Sequence, residues 1–305
     1  MLGPVLSSAL IAARLVKQLD PEDTSVLRSL QHSLLSHETA PLDVISRATG
    51  LHRDQTIYRL DRLYELGLVN RQSGGFVVVT RGLDAIALHA LVARGLISGL
   101  GGSLGVGKES DVYEAFENSS VYAIKFFRIG RTSFRAVRRS RSYGVGELRY
   151  LAINIRAAAK EHKALEKLYQ CGVAVPKPIA RESHAILMEK IIGQRLSDLR
   201  KLANPNRVIS DLLMNVRKAY LQTGLISGDL SEFNVLSDGV SSWIIDWPQL
   251  VGLKHPNAST YLERDTANIM KFFRRRFGLV YDQDAALQYV KGMRKSLLRR
   301  ASLHH

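Results

Sequence analysis

The chain has 305 residues, 46% of them hydrophobic, which is long enough for two domains that each bury a core. Its most apolar stretches are interrupted by charged residues and glycines, which excludes a membrane span, and its single cysteine, Cys171, excludes an internal disulfide framework and fits a reducing cytoplasm. The formal charge is +15, yet residues 1–95 carry only 10 basic against 9 acidic residues, so the excess in the remainder favours a polyanionic partner such as nucleic acid.

Residues 1–94 are predicted to form a winged helix. Apolar residues at three- and four-residue spacings indicate helices, and a Gln-Ser-Gly-Gly turn before a short strand indicates a hairpin. In chain order we predict helices at 7–19, 24–36, 44–48 and 53–66, a hairpin at 68–80 and a closing helix at 83–92. Asp54, Asp61 and Glu65 lie along the helix that would enter a DNA groove. They would face phosphates there, which argues against a winged-helix transcription regulator.

Residues 95–305 are predicted to form an α+β domain with an N-lobe at about 95–190 and a C-lobe at about 191–305, because strands precede helices. The glycine-rich segment at 95–103 is predicted to be a linker, and the arginine-rich segment at 128–149 is too polar to pack and is predicted to be a loop. The remaining elements are strands at 121–127, 185–191 and 243–246, and helices at 157–169, 195–203, 206–223, 260–277 and 284–300.

A glycine-containing loop opens the second domain and is a candidate phosphate-binding loop. Gly105 and Gly107 would let the backbone approach a triphosphate closely, with its N–H groups facing the phosphate oxygens. The candidate contacts are Gly105, Val106, Gly107, Lys108, Glu109 and Ser110. Two glycines in this spacing are more often an ordinary turn, so the interpretation depends on the motifs that follow.

Lys125 lies in an otherwise apolar predicted strand, where a buried ammonium needs an anionic partner to stay charged. Glu161, on the helix that follows, is a candidate to pair with it and to direct it towards the α- and β-phosphates. The alternative is a lysine on an edge strand that faces water. A hinge is expected where the strand ending at Met188 gives way to Gly193, with backbone groups of Glu189 and Ile191 bonded to adenine.

Asp229 and Asn234 are separated by the interval of a kinase catalytic loop, Asp-x-x-x-x-Asn. Asp229 would orient and deprotonate an accepting hydroxyl or a water, and Asn234 would give an oxygen to Mg²⁺. Asp246, at the end of a predicted strand, would supply the second protein ligand, since Mg²⁺ usually takes one or two carboxylates plus phosphate oxygens. Taken alone, the first pair would be an ordinary turn after a helix.

Together these segments resemble the RIO family of atypical protein kinases. The motifs are Gly-Val-Gly-Lys-Glu-Ser-Asp-Val-Tyr at 105–113, Gly-Arg-Thr-Ser-Phe-Arg at 130–135, Gly-Asp-Leu-Ser-Glu-Phe-Asn at 228–234 and Ile-Asp-Trp-Pro-Gln at 245–249. The Lys-Glu-Ser loop and the N-terminal winged helix are similar to the second RIO subfamily, and the length is similar to that of its archaeal members. Ser227 in place of histidine and Trp247 in place of phenylalanine depart from the family pattern, and neither removes a phosphate or metal ligand.

The resemblance implies an ATP-dependent serine/threonine kinase that uses Mg²⁺, with Mn²⁺ as an alternative, and that autophosphorylates. Ser133 is the implied autophosphorylation site, and Asp246 is a further candidate phosphoacceptor that would make the protein an ATPase switch. The implied partners are the pre-ribosomal small subunit with its RNA and protein hydroxyls, in the cytoplasm and with no membrane. A different class, a nucleotide-gated binding module with vestigial chemistry, stays open, although the presence of Lys125, Asp229, Asn234 and Asp246 favours an enzyme.

Overall fold

The computed structural model describes residues 7–34, 39–131, 145–247 and 249–297, and of residues 145–149 it describes only the backbone. It divides into two compact units, the first formed by residues 1–160 and 179–188 and the second by residues 161–178 and 189–305. Within these described ranges no helix combines the length and the apolar character that crossing a bilayer requires.

The N-terminal part of the first unit has the helices and the hairpin of a winged helix. Its elements are α1 (Ser8–Leu15), α2 (Pro21–Ser33), α3 (Leu42–Thr49), α4 (Arg53–Glu65), β1 (Val69–Gln72), β2 (Gly75–Val78) and α5 (Thr80–Ala93). Helix α2 begins earlier than predicted because Asp20 and Asp23 form a capping box around Pro21. The hairpin pairs Val69 with Val78 in antiparallel register, as expected from the turn residues.

A five-stranded sheet completes the first unit. Its strands are β3 (Gly99–Val106), β4 (Ser110–Glu117), β5 (Ser120–Phe127), β6 (Pro178–Glu182) and β7 (Ala185–Glu189), in the order β3-β4-β5-β7-β6. The predicted linker at 95–103 is therefore wrong from Gly99 onward, because glycines that lack an apolar alternation still pair with β4. Helix α6 (Val145–Gln170) begins inside the segment predicted to be a loop.

One apolar core is shared by the winged helix and this sheet. Leu27 and Leu60 of the helices belong to the same buried cluster as Leu83 of α5 and as Ile124 and Phe126 of β5. Each of these side chains is fully buried. The winged helix and the sheet therefore form one packed body.

The second unit is mainly helical, with short strands around its loops. Its further elements are β8 (Gln194–Arg195), α7 (Pro205–Lys218), a wider helical turn at Ala219–Thr223, β9 (Leu225–Ile226), β10 (Val235–Ser237), β11 (Ser242–Ile244), β12 (Val251–Gly252), α8 (Ala258–Phe277) and α9 (Gln283–Val290). Strand β10 lies between β11 and β8, and β12 pairs with β9. The core of this unit lies between α7 and α8, where Leu212, Leu213, Ile269 and Phe273 are fully buried.

One predicted helix of this unit is wrong, and another is shorter than predicted. The segment 195–203 is strand and turn. The N–H groups of Leu196 and Ser197 donate to the carbonyls of Val235 and Glu232, and not to carbonyls four residues earlier as in a helix. The helix predicted at 284–300 ends at Val290 within the described residues, where Gly292 turns the chain with φ of +82°.

Candidate functional site

The candidate phosphate loop is the turn between β3 and β4 in the first unit. Strand pairing extends to Val106 opposite Asp111, and the N–H of Gly107 donates to the carbonyl of Ser110 at 2.8 Å. Lys108 and Glu109 at the tip are exposed. The geometry is a tight hairpin whose tip is open to solvent, as the glycines predict, and such a backbone can approach phosphate oxygens.

Lys125 lies on β5, opposite Val112 of β4 and close to the base of this hairpin. Only 4% of the lysine is exposed, and its Nζ lies 4.8 Å from the centre of the Phe127 ring. Alternation along β5 puts Ala123, Lys125 and Phe127 on one face, where Ala123 and Phe127 pack against Met188. The structure therefore brings the predicted lysine and the predicted hinge residue Met188 to the same face of the sheet, and the water-facing alternative for Lys125 is wrong.

The remaining hinge residues belong to the second unit. The N–H of Glu189 donates to the carbonyl of Lys177 at 2.9 Å, while its side chain is exposed. That N–H is therefore already used, so the predicted bond from Glu189 to adenine would have to come from its carbonyl and stays a prediction. Ile191 follows in an irregular segment, which suits a backbone donor.

The candidate catalytic loop runs from Gly228 to Asn234, and its backbone is hydrogen-bonded to the side chain of Asp265 of α8. One carboxylate oxygen of Asp265 accepts the N–H of Gly228 at 2.8 Å, and the other accepts the N–H of Leu230 at 3.0 Å. Arg264 donates to the carbonyl of Gly228. These bonds hold the residues on either side of Asp229, whose own side chain is exposed.

A left-handed glycine makes this loop possible. Gly228 has φ of +74°, and a Cβ at that position would lie 2.8 Å from the carbonyl oxygen of Gln249. A side chain is therefore excluded by the backbone conformation and by the neighbouring backbone. The glycine before the aspartate in the sequence motif has a structural reason.

A hairpin places the two candidate metal ligands next to each other. Val235 of β10 pairs with Ile244 of β11, and the N–H of Ile245 donates to the carbonyl of Asn234 at 3.0 Å. Asp246 follows directly. The amide nitrogen of Asn234 donates to the carbonyl of Asp229 at 2.9 Å, so the amide oxygen is the atom that a cation would use. Carboxylate and amide oxygens are ligands that Mg²⁺ prefers, so this pair fits the ion.

In the described part of the chain no group of three or more His, Cys, Asp or Glu side chains could hold a metal ion by itself. A Mg²⁺ ion at Asn234 and Asp246 would accordingly complete its shell with phosphate oxygens and water, as Mg²⁺ in phosphotransferases does.

Burial raises the pKa of Asp265 to about 6, although the two backbone N–H groups and Arg264 favour the charged form. Asp265 is 1% exposed, so the loss of water outweighs the bonds that it accepts. The negative charge of Asp229 adds to the increase. The carboxylate that holds the catalytic loop thus keeps its proton to a higher pH than an exposed aspartate does.

The structure groups most of the predicted site residues by unit. The 105–110 hairpin, Lys125 and Met188 belong to the first unit, and Asp229, Asn234 and Asp246 to one loop system in the second. Glu161, which is 4% exposed, is counted with the second unit, so its pairing with Lys125 stays a prediction. Ser133 lies outside the described residues.

Sequence reasoning missed Asp265. The signal that could have identified it is an acidic residue at a core position of the amphipathic helix α8, between the buried residues Leu262 and Ile269. A carboxylate at such a position needs hydrogen-bond donors, and here it finds them in the catalytic loop.

The chain is similar in sequence and in structure to known proteins. The family model described as "RIO domain" matches residues 111–286, and the model described as "Rio2, N-terminal" matches residues 16–94. The chain is 39% identical over 249 residues to the RIO-type serine/threonine-protein kinase Rio2 of Methanocaldococcus jannaschii, covering 78% of this chain and 91% of that protein. It is 34% identical over 272 residues to the serine/threonine-protein kinase rio2 of Dictyostelium discoideum, covering 87% of this chain and about half, 52%, of that protein.

Among solved structures, the chain is similar to the Rio2 kinase of Chaetomium thermophilum in an ADP/Mg²⁺-phosphoaspartate complex. The TM-score is 0.79 at 30% sequence identity, and the match covers 90% of this chain and 88% of that one. These matches confirm the resemblance drawn from the motifs and the order of the two kinds of domain.

Proposed function

Since the chain belongs to the RIO family of serine/threonine protein kinases, we propose that it binds ATP with Mg²⁺ and transfers the γ-phosphate to protein hydroxyls, including its own Ser133. The proposed role of this activity is small ribosomal subunit maturation in the cytoplasm. The observation that carries the chemistry is the β10–β11 hairpin, which sets Asn234 and Asp246 side by side and bonds Asn234 to the backbone of Asp229. A general base and two metal ligands in one braced loop suit phosphoryl transfer.

The proposed site residues have three roles: phosphate binding, proton transfer and metal binding. The 105–110 hairpin binds the phosphates through its backbone, and Lys125 neutralises their charge from the buried face of β5. Asp229 accepts the proton of the attacking hydroxyl and orients its oxygen towards the γ-phosphorus. A Mg²⁺ ion held by Asn234 and Asp246 supplies charge neutralisation when bound.

Charge supports the ribosomal part of the proposal. Most of the +15 excess lies beyond residue 95, and Arg274, Arg275 and Arg276 are exposed at the end of α8. The winged helix contributes less, because Arg59 lies 2.7 Å from Asp20 and Arg62 is bonded to Asp20 at 2.9 Å. RNA contact is therefore assigned to the basic surface of the second unit.

The ATPase form of the proposal has Asp246 as the phosphoacceptor. It is supported by the phosphoaspartate named for the Chaetomium thermophilum Rio2 kinase and by the position of Asp246 beside Asn234. A nucleotide-gated switch without phosphotransfer is the second candidate function. The bonds that join Asn234 to Asp229 and to Ile245 would also let a bound nucleotide order the 228–234 loop without any chemical step.

The test is incubation of the full chain with γ-labelled ATP and Mg²⁺, alongside Asp229→Ala and the matched control Asp284→Ala, an exposed aspartate of α9. We expect hydroxylamine-resistant label on the native chain and the control, at least a hundredfold less on Asp229→Ala, and the label on Ser133 by peptide mapping. Hydroxylamine-labile label with released phosphate would support the ATPase form. ATP binding with neither label nor phosphate would favour the switch.

A further inference from the structure

A buried cluster of charges lies where the winged helix meets the candidate phosphate loop, all within the first unit. Asp84 comes from α5 of the winged helix and Asp111 from β4, and Arg128 directly follows β5. They are 0%, 4% and 2% exposed, respectively, and His184 beside them is 1% exposed. Charged groups are rarely buried to this degree unless each is paired.

Arg128 is the centre of the cluster. Its Nη2 is 2.8 Å from both carboxylate oxygens of Asp84, and its Nε is 3.1 Å from Oδ2 of Asp111. His184 Nε2 lies 2.8 Å from Nη1 of Arg128 and 2.7 Å from Oδ1 of Asp84. One guanidinium therefore joins a helix of the winged helix to two strands of the sheet, with the planar fork geometry that suits carboxylates.

The same residues hold the phosphate loop. Asp111 directly follows Ser110, the last residue of the loop, and the backbone N–H of Arg128 donates to the carbonyl of Glu109 at 2.6 Å. Arg131 adds a second support, with Nη2 at 2.5 Å from Asp111 and Nη1 at 3.4 Å from the carbonyl of Gly107. Besides contacts with its own strand at Phe126 and Phe127, the cluster therefore reaches the carbonyls of Glu109 and Gly107 in the loop and the carboxylate of Asp111 directly after it.

Charge balance shows why the winged-helix residue matters. Desolvation lowers the pKa of His184, which keeps the ring neutral, so Arg128 and Arg131 are balanced by Asp84 and Asp111. Burial opposes the charge on Asp84, but Arg128 and His184 overcome it and hold the pKa of Asp84 below its usual value. Without Asp84, Arg128 would have Asp111 as its only described carboxylate partner, and Arg131 already binds that carboxylate.

Stability alone is a poor reason for such a cluster. Buried ion pairs contribute little beyond what well-packed apolar side chains of the same size would give, and the surrounding core is apolar on both sides. What an apolar replacement cannot supply is direction, because a guanidinium fixes the angle and position of each carboxylate that it binds.

We propose that Asp84 and Arg128 are positioning residues for the phosphate loop, so that the winged helix is a structural part of the nucleotide site. The inference rests on the proposed function, in which residues 105–110 bind the phosphates of ATP. Asp84 holds Arg128, and Arg128 holds Asp111 and the carbonyl of Glu109 at the end of the loop. Because coupling is reciprocal, nucleotide phosphates that order the loop also stabilise α5.

The test measures the dissociation constants of ATP–Mg²⁺ and of adenosine for the native full chain and for Asp84→Asn. We expect the constant for ATP–Mg²⁺ to rise about tenfold, the equivalent of one weakened charge-assisted bond, and that for adenosine to change less than about twofold. A merely destabilised protein would lose both ligands in equal proportion, because only its folded fraction binds. Equal changes for the two ligands, or no change, would overturn the inference.

The matched control is Asp61→Asn, which removes an exposed carboxylate of the same winged helix that pairs with Arg71. It should leave both constants unchanged. If the native chain itself does not bind ATP–Mg²⁺, the proposed function fails, whereas binding by the native chain with unaltered selectivity in Asp84→Asn refutes only the positioning role.

Two further measurements cover the case in which Asp84→Asn folds poorly. The double variant Asp84→Leu with Arg128→Met removes both charges, fills the site with apolar side chains and should show the same selective loss of ATP affinity. Native ATP affinity in this folded variant would refute the inference. In the native chain, hydrogen exchange of the α5 amides should slow when ATP–Mg²⁺ binds but not when adenosine binds, and an equal response to both ligands would contradict the coupling.

Discussion

Replacing Asp265 by asparagine should give a loss of stability that is larger at pH 4 than at pH 7. Burial raises the pKa of Asp265 from 3.8 to about 6. Because the folded-state pKa lies above the unfolded one, the folded protein binds the proton more tightly, and stability falls as pH rises from about 4 to above 6. The difference between the two pKa values corresponds to about 3 kcal/mol. Asparagine does not titrate, so the stability of the variant does not fall over this pH range in the same way. The stability that the variant loses relative to the native chain therefore becomes smaller as pH rises.

The assay is urea unfolding followed by tryptophan fluorescence, at pH 4 and at pH 7. The chain has two tryptophans, and both Trp243 and Trp247 lie on or just after β11 in the second unit, so the signal reports the unit that contains the catalytic loop. The quantity compared is the free energy of unfolding of the native chain minus that of Asp265→Asn. We expect it to be about 2.5 kcal/mol smaller at pH 7 than at pH 4, because at pH 4 the unfolded carboxyl is already more than half deprotonated and part of the full difference is lost.

A matched control isolates burial as the cause. Asp238 also accepts two backbone N–H groups, those of Val240 at 2.9 Å and Ser241 at 2.7 Å, but it is exposed. The bonds from Ser241 and Val240 lower its pKa, so Asp238→Asn should cost more at pH 7 than at pH 4. If the cost of Asp265→Asn rises with pH as well, the two backbone bonds outweigh desolvation at Asp265 and the reasoning is refuted.

Three further outcomes can be checked. Gly228→Ala places a Cβ 2.8 Å from the Gln249 carbonyl oxygen, at a residue whose φ is +74°. The phosphotransfer rate should fall at least tenfold, with less than twofold change in adenosine affinity. An unchanged rate would mean that the loop tolerates the distortion. Asp23→Asn leaves Arg62 with only Asp20 of its two carboxylate partners. The free energy of unfolding, measured by thermal unfolding, should fall by about 3 kcal/mol, and no change would mean that the pair is solvated. Asn234→Ala should weaken ATP binding about tenfold with Mg²⁺ and leave it unchanged in EDTA; equal loss in both would contradict metal ligation.

Local signals in the sequence were sufficient for the elements that depend on neighbouring residues. The winged-helix hairpin follows from its glycine turn, and α8 (Ala258–Phe277) follows from an amphipathic repeat closed by Gly278 in the left-handed conformation. The helix predicted at 195–203 failed for the opposite reason. Leu196 and Leu199 have helical spacing, yet the N–H of Leu196 donates to the carbonyl of Val235, 39 residues further along the chain, and local periodicity cannot show this.

The sequence by itself determined the types and order of the chemical groups: the glycine hairpin, Lys125, and the Asp229, Asn234 and Asp246 set, because each motif is a short segment whose spacing is a property of the chain. Only the tertiary structure decided which distant residues support those groups. Asp265 comes to the catalytic loop from a helix more than thirty residues away, and Asp84 reaches Arg128 across 44 positions. A buried carboxylate finds its donors by packing, and packing depends on the whole fold rather than on spacing along the chain.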